Sequence, residues 1–159
     1  MEIGDPEHDI TSAISSGSSV VQLVVFLENR AGALLSIVQL IADNDVLVLG
    51  LSVKDSVDST VVRLIVSDPD TIETLFIEKG IAYSTTEVLV VELVHGAEDL
   101  PKLLRELLNA ETNVHFLYPI LTRPNGRAAM ALCAEDNQFG KQVLNEAGYK
   151  VLMQEDLSR

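Results

Sequence analysis

The sequence predicts an α+β fold built as two tandem βαββαβ units, each an antiparallel sheet with two helices on one face. Three observations carry this. Apolar runs alternate in type along the chain in the order strand, helix, strand, strand, helix, strand, and that order then repeats. The two halves superimpose at a shift of about 66 to 68 residues, with Leu34 on Leu100, Ala42 on Ala110, Val46 on Val114 and Gly80 on Gly148. The connections are short and carry turn chemistry.

Residues 1–19 are rich in Ser, Gly and acidic groups without periodicity and are expected to form a flexible tail. Val20–Leu27 is a run of eight residues, seven of them apolar, and reads as a strand; Ala33–Asp43 has helical spacing. Val46–Lys54 and Thr60–Ser67 read as strands joined by the polar turn at 55–58. Asp68 can cap the next helix, Pro69 suits its first position, Ile72, Leu75, Phe76 and Lys79 give it a face, and Gly80 stops it. Ala82–Leu93 is long for one strand, so it can end the first unit (20–86) and begin the second (87–159).

In the second unit, Leu100, Leu103, Leu104, Leu107 and Leu108 have helical spacing and belong to a core rather than a zipper, since the pattern lasts barely two turns. Val114–Thr122 and Arg127–Ala134 are strand-like around the turn at 123–126, and Pro119 suggests an edge strand or bulge. The residues Glu135–Asn137 start a helix whose face is Phe139, Val143, Leu144 and Ala147; Gly148 ends it and Tyr149–Met153 closes as a strand. This is the split βαβ, ferredoxin-like arrangement. Its helix-free sheet faces are apolar on both sides at Val20–Leu27 and Val88–Val91, so the other repeat or a second chain is expected to bury them, and a homodimer is expected.

Composition narrows the function. The chain has 159 residues and a net charge of -13, from 24 acidic and 11 basic residues. Such a field repels phosphate backbones and anionic lipid, which argues against nucleic-acid and membrane partners. No apolar stretch reaches bilayer length, residues 1–19 lack the pattern of a signal peptide, and Cys133 is the single cysteine. A soluble cytoplasmic protein is expected.

One stretch carries recognisable chemistry: Glu28-Asn29-Arg30-Ala31-Gly32-Ala33-Leu34, a glycine-containing turn from a strand into a helix. Unpaired backbone N–H groups at such a helix start, with the positive end of the helix dipole, suit a small carboxylate. The purely structural alternative is a tight turn in which Asn29 caps the helix, and Arg30 either contacts a ligand carboxylate or faces solvent.

The βαββαβ unit with Asn29-Arg30-Ala31-Gly32-Ala33-Leu34 after its first strand resembles an ACT domain, the small-molecule regulatory module of amino-acid metabolism, with Ala31 where proline is more usual. The resemblance covers residues 20–154 as two copies. It implies amino-acid binding at Asn29, Ala31, Gly32, Ala33 and Leu34, with turn amides on the α-carboxylate and the asparagine helping to hold the ligand. The family's serine-binding members carry a second asparagine early in the second strand, where this chain has Leu47, so an apolar amino acid fits better than a polar one. In the second copy the turn reads His95-Gly96-Ala97-Glu98-Asp99-Leu100, and Glu98 would put negative charge beside a ligand carboxylate. His95 and His115 are expected to flank that turn, as surface histidines in preference to a metal site.

Cys133 is expected to be a buried packing residue, and Glu135-Asp136 a helix cap rather than a catalytic pair. The expected function is therefore a non-catalytic regulatory protein without cofactor or metal, signalling in trans to a partner such as a regulated enzyme. The alternatives are a small enzyme on the same frame acting on acyl phosphates, and a regulatory subunit that binds no ligand.

Overall fold

The computed structural model describes residues 17–28 and 30–158. The first unit runs β1 (Val20–Leu27), α1 (Ala33–Asp43), β2 (Val48–Asp55), β3 (Thr60–Val66), α2 (Pro69–Lys79) and into β4 (Tyr83–Leu93). The second continues with α3 (Asp99–Asn109), β5 (Val114–Pro119), β6 (Ala128–Ala134), α4 (Asn137–Glu146), β7 (Val151–Leu152) and a short α5 (Gln154–Leu157). All strand pairs are antiparallel, in the order β2-β3-β1-β4-β6-β5, with β7 also on β4.

The long strand serves both halves: Tyr83–Val88 pairs with β1, and Leu89–Leu93 pairs with β6. Its alternation follows. Val88 and Val90 point between the two sheets, whereas Leu89, Val91 and Leu93 pack under α3 and α4 with Leu103, Leu107 and Leu144. In the first unit Leu23, Val25, Val62 and Leu64 pack under Ile37 and Ile41 of α1 and Ile72 and Phe76 of α2.

The helix-free faces meet each other. Val20, Leu49 and Ile65 from the first unit form one buried cluster with Tyr118, Ile120, Ala129, Ala131 and Leu152 from the second. The molecule is layered helix, sheet, sheet, helix, and the covering that those faces need comes from within the chain. The ring of strands nearly closes: Gly50 bridges Ile120, and Leu121 N–H donates to the Leu49 carbonyl at 2.7 Å. A Cβ on Gly50 would lie 3.1 Å from Ile120 Cδ1 and 3.2 Å from Tyr118 Cε2, so glycine is what lets the two strands approach.

All four long helices end the same way. A left-handed residue follows the helix (Asp45, Gly80, Glu111 and Gly148), and the next amide (Val46, Ile81, Thr112 and Tyr149) bonds back to the carbonyl of Ile41, Phe76, Leu107 and Leu144 at 2.9 to 3.3 Å. Asp45 and Glu111 are equivalent in the two copies, as are Gly80 and Gly148. The helix starts repeat too: Asp68 accepts from Thr71 N–H, and Asp136 from Phe139 N–H. Asp68→Ala should lower stability by about 1 kcal/mol, read as a lower urea midpoint at unchanged slope. A loss below a few tenths would mean that water replaces this cap.

Several expected boundaries shift. Strand β2 starts at Val48, because Val46 is used in ending α1 and Leu47 N–H bonds to the Ser67 hydroxyl. Strand β5 stops at Pro119, and it carries an irregularity between Val114 and Phe116. The closing strand is only Val151–Leu152, since Gln154 turns into α5. Phe139 is exposed and Gly140 takes the buried position, where its bare backbone sits against Ala134 and Leu89. Ala147 is exposed as well, and Cys133 is half-buried rather than buried.

Of the expected tail, residues 1–16 lie outside the described residues. Ser18 is tied down: its amide donates to the Glu155 carboxylate and its carbonyl accepts from Gln154 N–H at 2.9 Å. Among the described residues no helix is long and apolar enough to cross a membrane.

Candidate functional site at the first strand-to-helix turn

Strand β1 ends at Leu27 and the chain reverses at once, with Arg30 N–H donating to the Glu28 carbonyl at 2.8 Å. Gly32 precedes α1 at φ 86°, ψ -12°, a left-handed conformation that glycine adopts without penalty. The first helical bond runs from Ser36 N–H to the Gly32 carbonyl at 2.9 Å, and the Ser36 hydroxyl bonds to the same oxygen. The amides of Leu34 and Leu35 therefore have no acceptor within the helix. No side chain caps this end among the described residues.

The space in front of the turn is open. A Cβ built on Gly32 meets nothing within 4 Å, and Arg30, Ala31 and Gly32 are all exposed. Arg30 lies 3.7 Å from the Glu28 carboxylate, and both side chains are solvated, so the pair contributes at most about 1 kcal/mol. It also leaves the local charge near neutral in a chain that is strongly acidic overall. Leu34 is half-buried against the core under α1, which anchors the turn. Arg30, Ala31, Gly32, Ala33 and Leu34 thus share one turn; Asn29 lies outside the described residues. Leu47 does not join them, because the eleven residues of α1 put it about 16 Å away at the far end of the helix.

The second copy is built differently. Gly96–Glu98 form a 3₁₀ turn, Glu98 takes the place of Gly32 before the helix with an ordinary φ of -65°, and the left-handed residue is Gly96. Glu98 is exposed on this turn, and Asp99 adds a second, buried carboxylate to it. One Asp99 carboxylate oxygen accepts from His95 N–H at 2.8 Å and the other lies 3.3 Å from His95 Nδ1. The chain's own carboxylate is thereby bonded into the second turn, at the position that Ala33 holds in the first. Sequence reasoning placed Asp99 beside the histidines but missed its bond to the His95 amide, for which the spacing of four residues was the available signal.

The His95 amide, above all, holds the Asp99 carboxyl below its usual range. A depressed carboxyl contributes stability that is present above its unfolded value and is lost as pH falls through the folded one. The urea midpoint should therefore fall on acidification below about pH 4, and fall less in Asp99→Asn; identical acid profiles would show that this contact is not coupled to folding.

The two histidines do not meet. His95 follows Leu93, which pairs with Ala128 at one end of β6, whereas His115 follows Val114, which pairs with Ala134 at the other. Aligned positions in two copies need not be neighbours in space. Among the described residues no group of three or more His, Cys, Asp or Glu is placed to hold a metal. Asp136 caps α4 through the Phe139 amide, as expected, whereas Glu135 accepts from Asn113 Nδ2 before β5 and is not part of the cap.

The model of a family described as an ACT domain pair matches residues 18–159. The chain resembles the crystal structure of protein BT0572 from Bacteroides thetaiotaomicron, at 24% identity over 90% of this chain and 98% of that one, with a TM-score of 0.80. It also resembles the ligand-free regulatory subunit of aspartate kinase from Thermus thermophilus, at 12% identity over 81% and 92% of the two chains with a TM-score of 0.55. A structure of aspartokinase alpha and beta subunits gives 14% identity over 82% and 93%, with a TM-score of 0.55. At these identities the likeness is one of fold. No curated protein matches.

Proposed function

The chain belongs to the ACT domain pair family, and from that premise we propose that it is a non-catalytic regulatory protein that binds a small amino acid at the turn before α1. The observation that carries the reading is the start of α1: among the described residues nothing caps it and the Leu34 and Leu35 amides have no partner, behind a left-handed Gly32 with nothing within 4 Å of its Cβ position. Those donors and the helix dipole suit an α-carboxylate without needing a cationic side chain. Asn29 and Arg30 complete the set as contacts for the rest of the ligand. Leu47 lies at the other end of α1, so the apolar or branched-chain preference expected from it does not carry over to this turn, and the side chain of the ligand is left open.

The signal acts in trans, on a partner such as a regulated enzyme, through the differential affinity of the ligand for two states. With the helix-free faces covered inside the chain, the expected homodimer uses the apolar rim beside the turn, where Phe26 and Leu35 are 54% and 67% exposed. A cytoplasmic setting fits the single half-buried cysteine.

A thermal-shift screen of the 20 amino acids tests the reading. A ligand at a hundredfold excess over its Kd stabilises by about 2.7 kcal/mol, which for a chain of this size raises Tm by roughly 5–10 °C. No response to any of them would overturn it.

A further inference from the structure

We propose that the cleft at the end of the second unit's sheet binds a small dianion of the phosphate or dicarboxylate class. The site is distinct from the turn before α1 and does not depend on it. The cleft encloses about 410 Å³ between the end of β4, the start of α3, the start of β6 and the loop from α4 to β7. Three of the chain's 11 lysines and arginines converge on it from three elements: Lys102 of α3, Arg127 before β6 and Lys150 before β7. Set against the two carboxylates of the lining, Glu92 and Asp99, the three cations leave one net positive charge there in a chain whose net charge is -13.

The cations are set in place and are not consumed. Glu92, only 3% exposed, holds the Arg127 guanidinium at 2.6 Å through one nitrogen, which orients the fork, and its other donors have no partner among the described residues. Glu92 N–H donates to the Lys150 carbonyl at 2.9 Å, which fixes the root of that lysine beside the same pair. Lys102 and Lys150 have no carboxylate within ion-pair distance among the described residues. The nearby acid Asp99 is engaged by the His95 amide and ring, and Tyr149 adds a phenol to the wall. Two lysines and the outer edge of an arginine fit an anion with two charges better than a single carboxylate.

Calorimetric titration of the full chain at constant ionic strength, with inorganic phosphate in one arm and succinate in another, tests this. Saturable binding is expected for at least one; phosphate alone assigns a phosphate group, and succinate alone a dicarboxylate. Lys102→Gln combined with Lys150→Gln should weaken binding by about tenfold or more. Arg105→Gln combined with Lys141→Gln, the same charge change outside the cleft, should leave it nearly unchanged. Circular dichroism checks that both variants fold. The absence of saturable binding of either dianion, or equal weakening in the two variants, would overturn the proposal. An aspartate or glutamate response in the amino-acid screen belongs to this cleft if the Lys102/Lys150 variant loses it, and to the turn before α1 if Gly32→Leu does, so the two sites are told apart.

Discussion

Tyr118→Phe should destabilise the chain by about 2 kcal/mol, lowering Tm by roughly 4–8 °C. The Tyr118 hydroxyl of β5 donates to Gln22 Oε1 of β1 at 2.6 Å, a buried bond between residues 96 apart in sequence and on opposite sheets. Gln22 is 1% exposed, and its Nε2 already lacks a partner among the described residues. Losing the hydroxyl strips the last bond from a buried amide, and the desolvation of that amide is then uncompensated. Burial pushes the phenol well above its usual range, against a smaller opposing effect of Arg63, so the donor keeps its proton throughout the working pH range.

Gln22→Leu should cost a similar amount, because it orphans the hydroxyl. The double variant should recover much of the loss, since it removes both polar partners together. Additive costs in that cycle, or a Tyr118→Phe loss under about 0.5 kcal/mol, would show that water satisfies both groups. The pair has a neighbour in kind: Arg63 of β3 lies 4.4 Å over the Phe116 ring of β5, which stacks on Tyr118. These directional contacts border a buried cluster between the sheets that is otherwise aliphatic. They are candidates for setting how one unit docks on the other.

Gly32→Leu should abolish the amino-acid-induced rise in Tm while leaving a folded protein. At φ 86° any L side chain is strained by about 1–2 kcal/mol, yet the new Cβ meets nothing within 4 Å, so the cost stays local. The isobutyl group then stands in the space where a carboxylate would approach the amides. Gly80→Leu is the matched control. It carries the same strain at φ 67°, also in open space, but ends α2, where a helix presents carbonyls and not free amides. It should lose comparable stability and keep the ligand response. A wild-type response from Gly32→Leu would move the binding site elsewhere.

What could be read from the residues follows how local each signal is. The limits of β1 and the start of α1 match the structure, because the apolar run ends and the helical repeat begins at one glycine-containing turn. Asp68, Pro69 and Gly80 bounded α2 for the same reason. Asp45 and Glu111, in contrast, end their helices in the left-handed region with no glycine to announce it. Phe139 looked like a core residue by hydrophobicity, but the close approach of α4 to β4 and β6 wanted Gly140 there. The turn before α1 is contiguous in sequence and could be found by reading along it. The cleft of Lys102, Arg127 and Lys150 draws on separate segments, and nothing in any one of them points to the others.

By itself the sequence determined the two repeats, their order of elements and the place of the open turn, because periodicity, capping and turn chemistry act over a few neighbouring residues. Only the tertiary structure decided that the helix-free faces cover each other, that β2 and β5 meet at Gly50, that Gln22 finds Tyr118, and that Asp99 occupies the second turn. Those outcomes depend on packing between distant segments and on where each side chain finds a partner, which residue order specifies only through the whole fold.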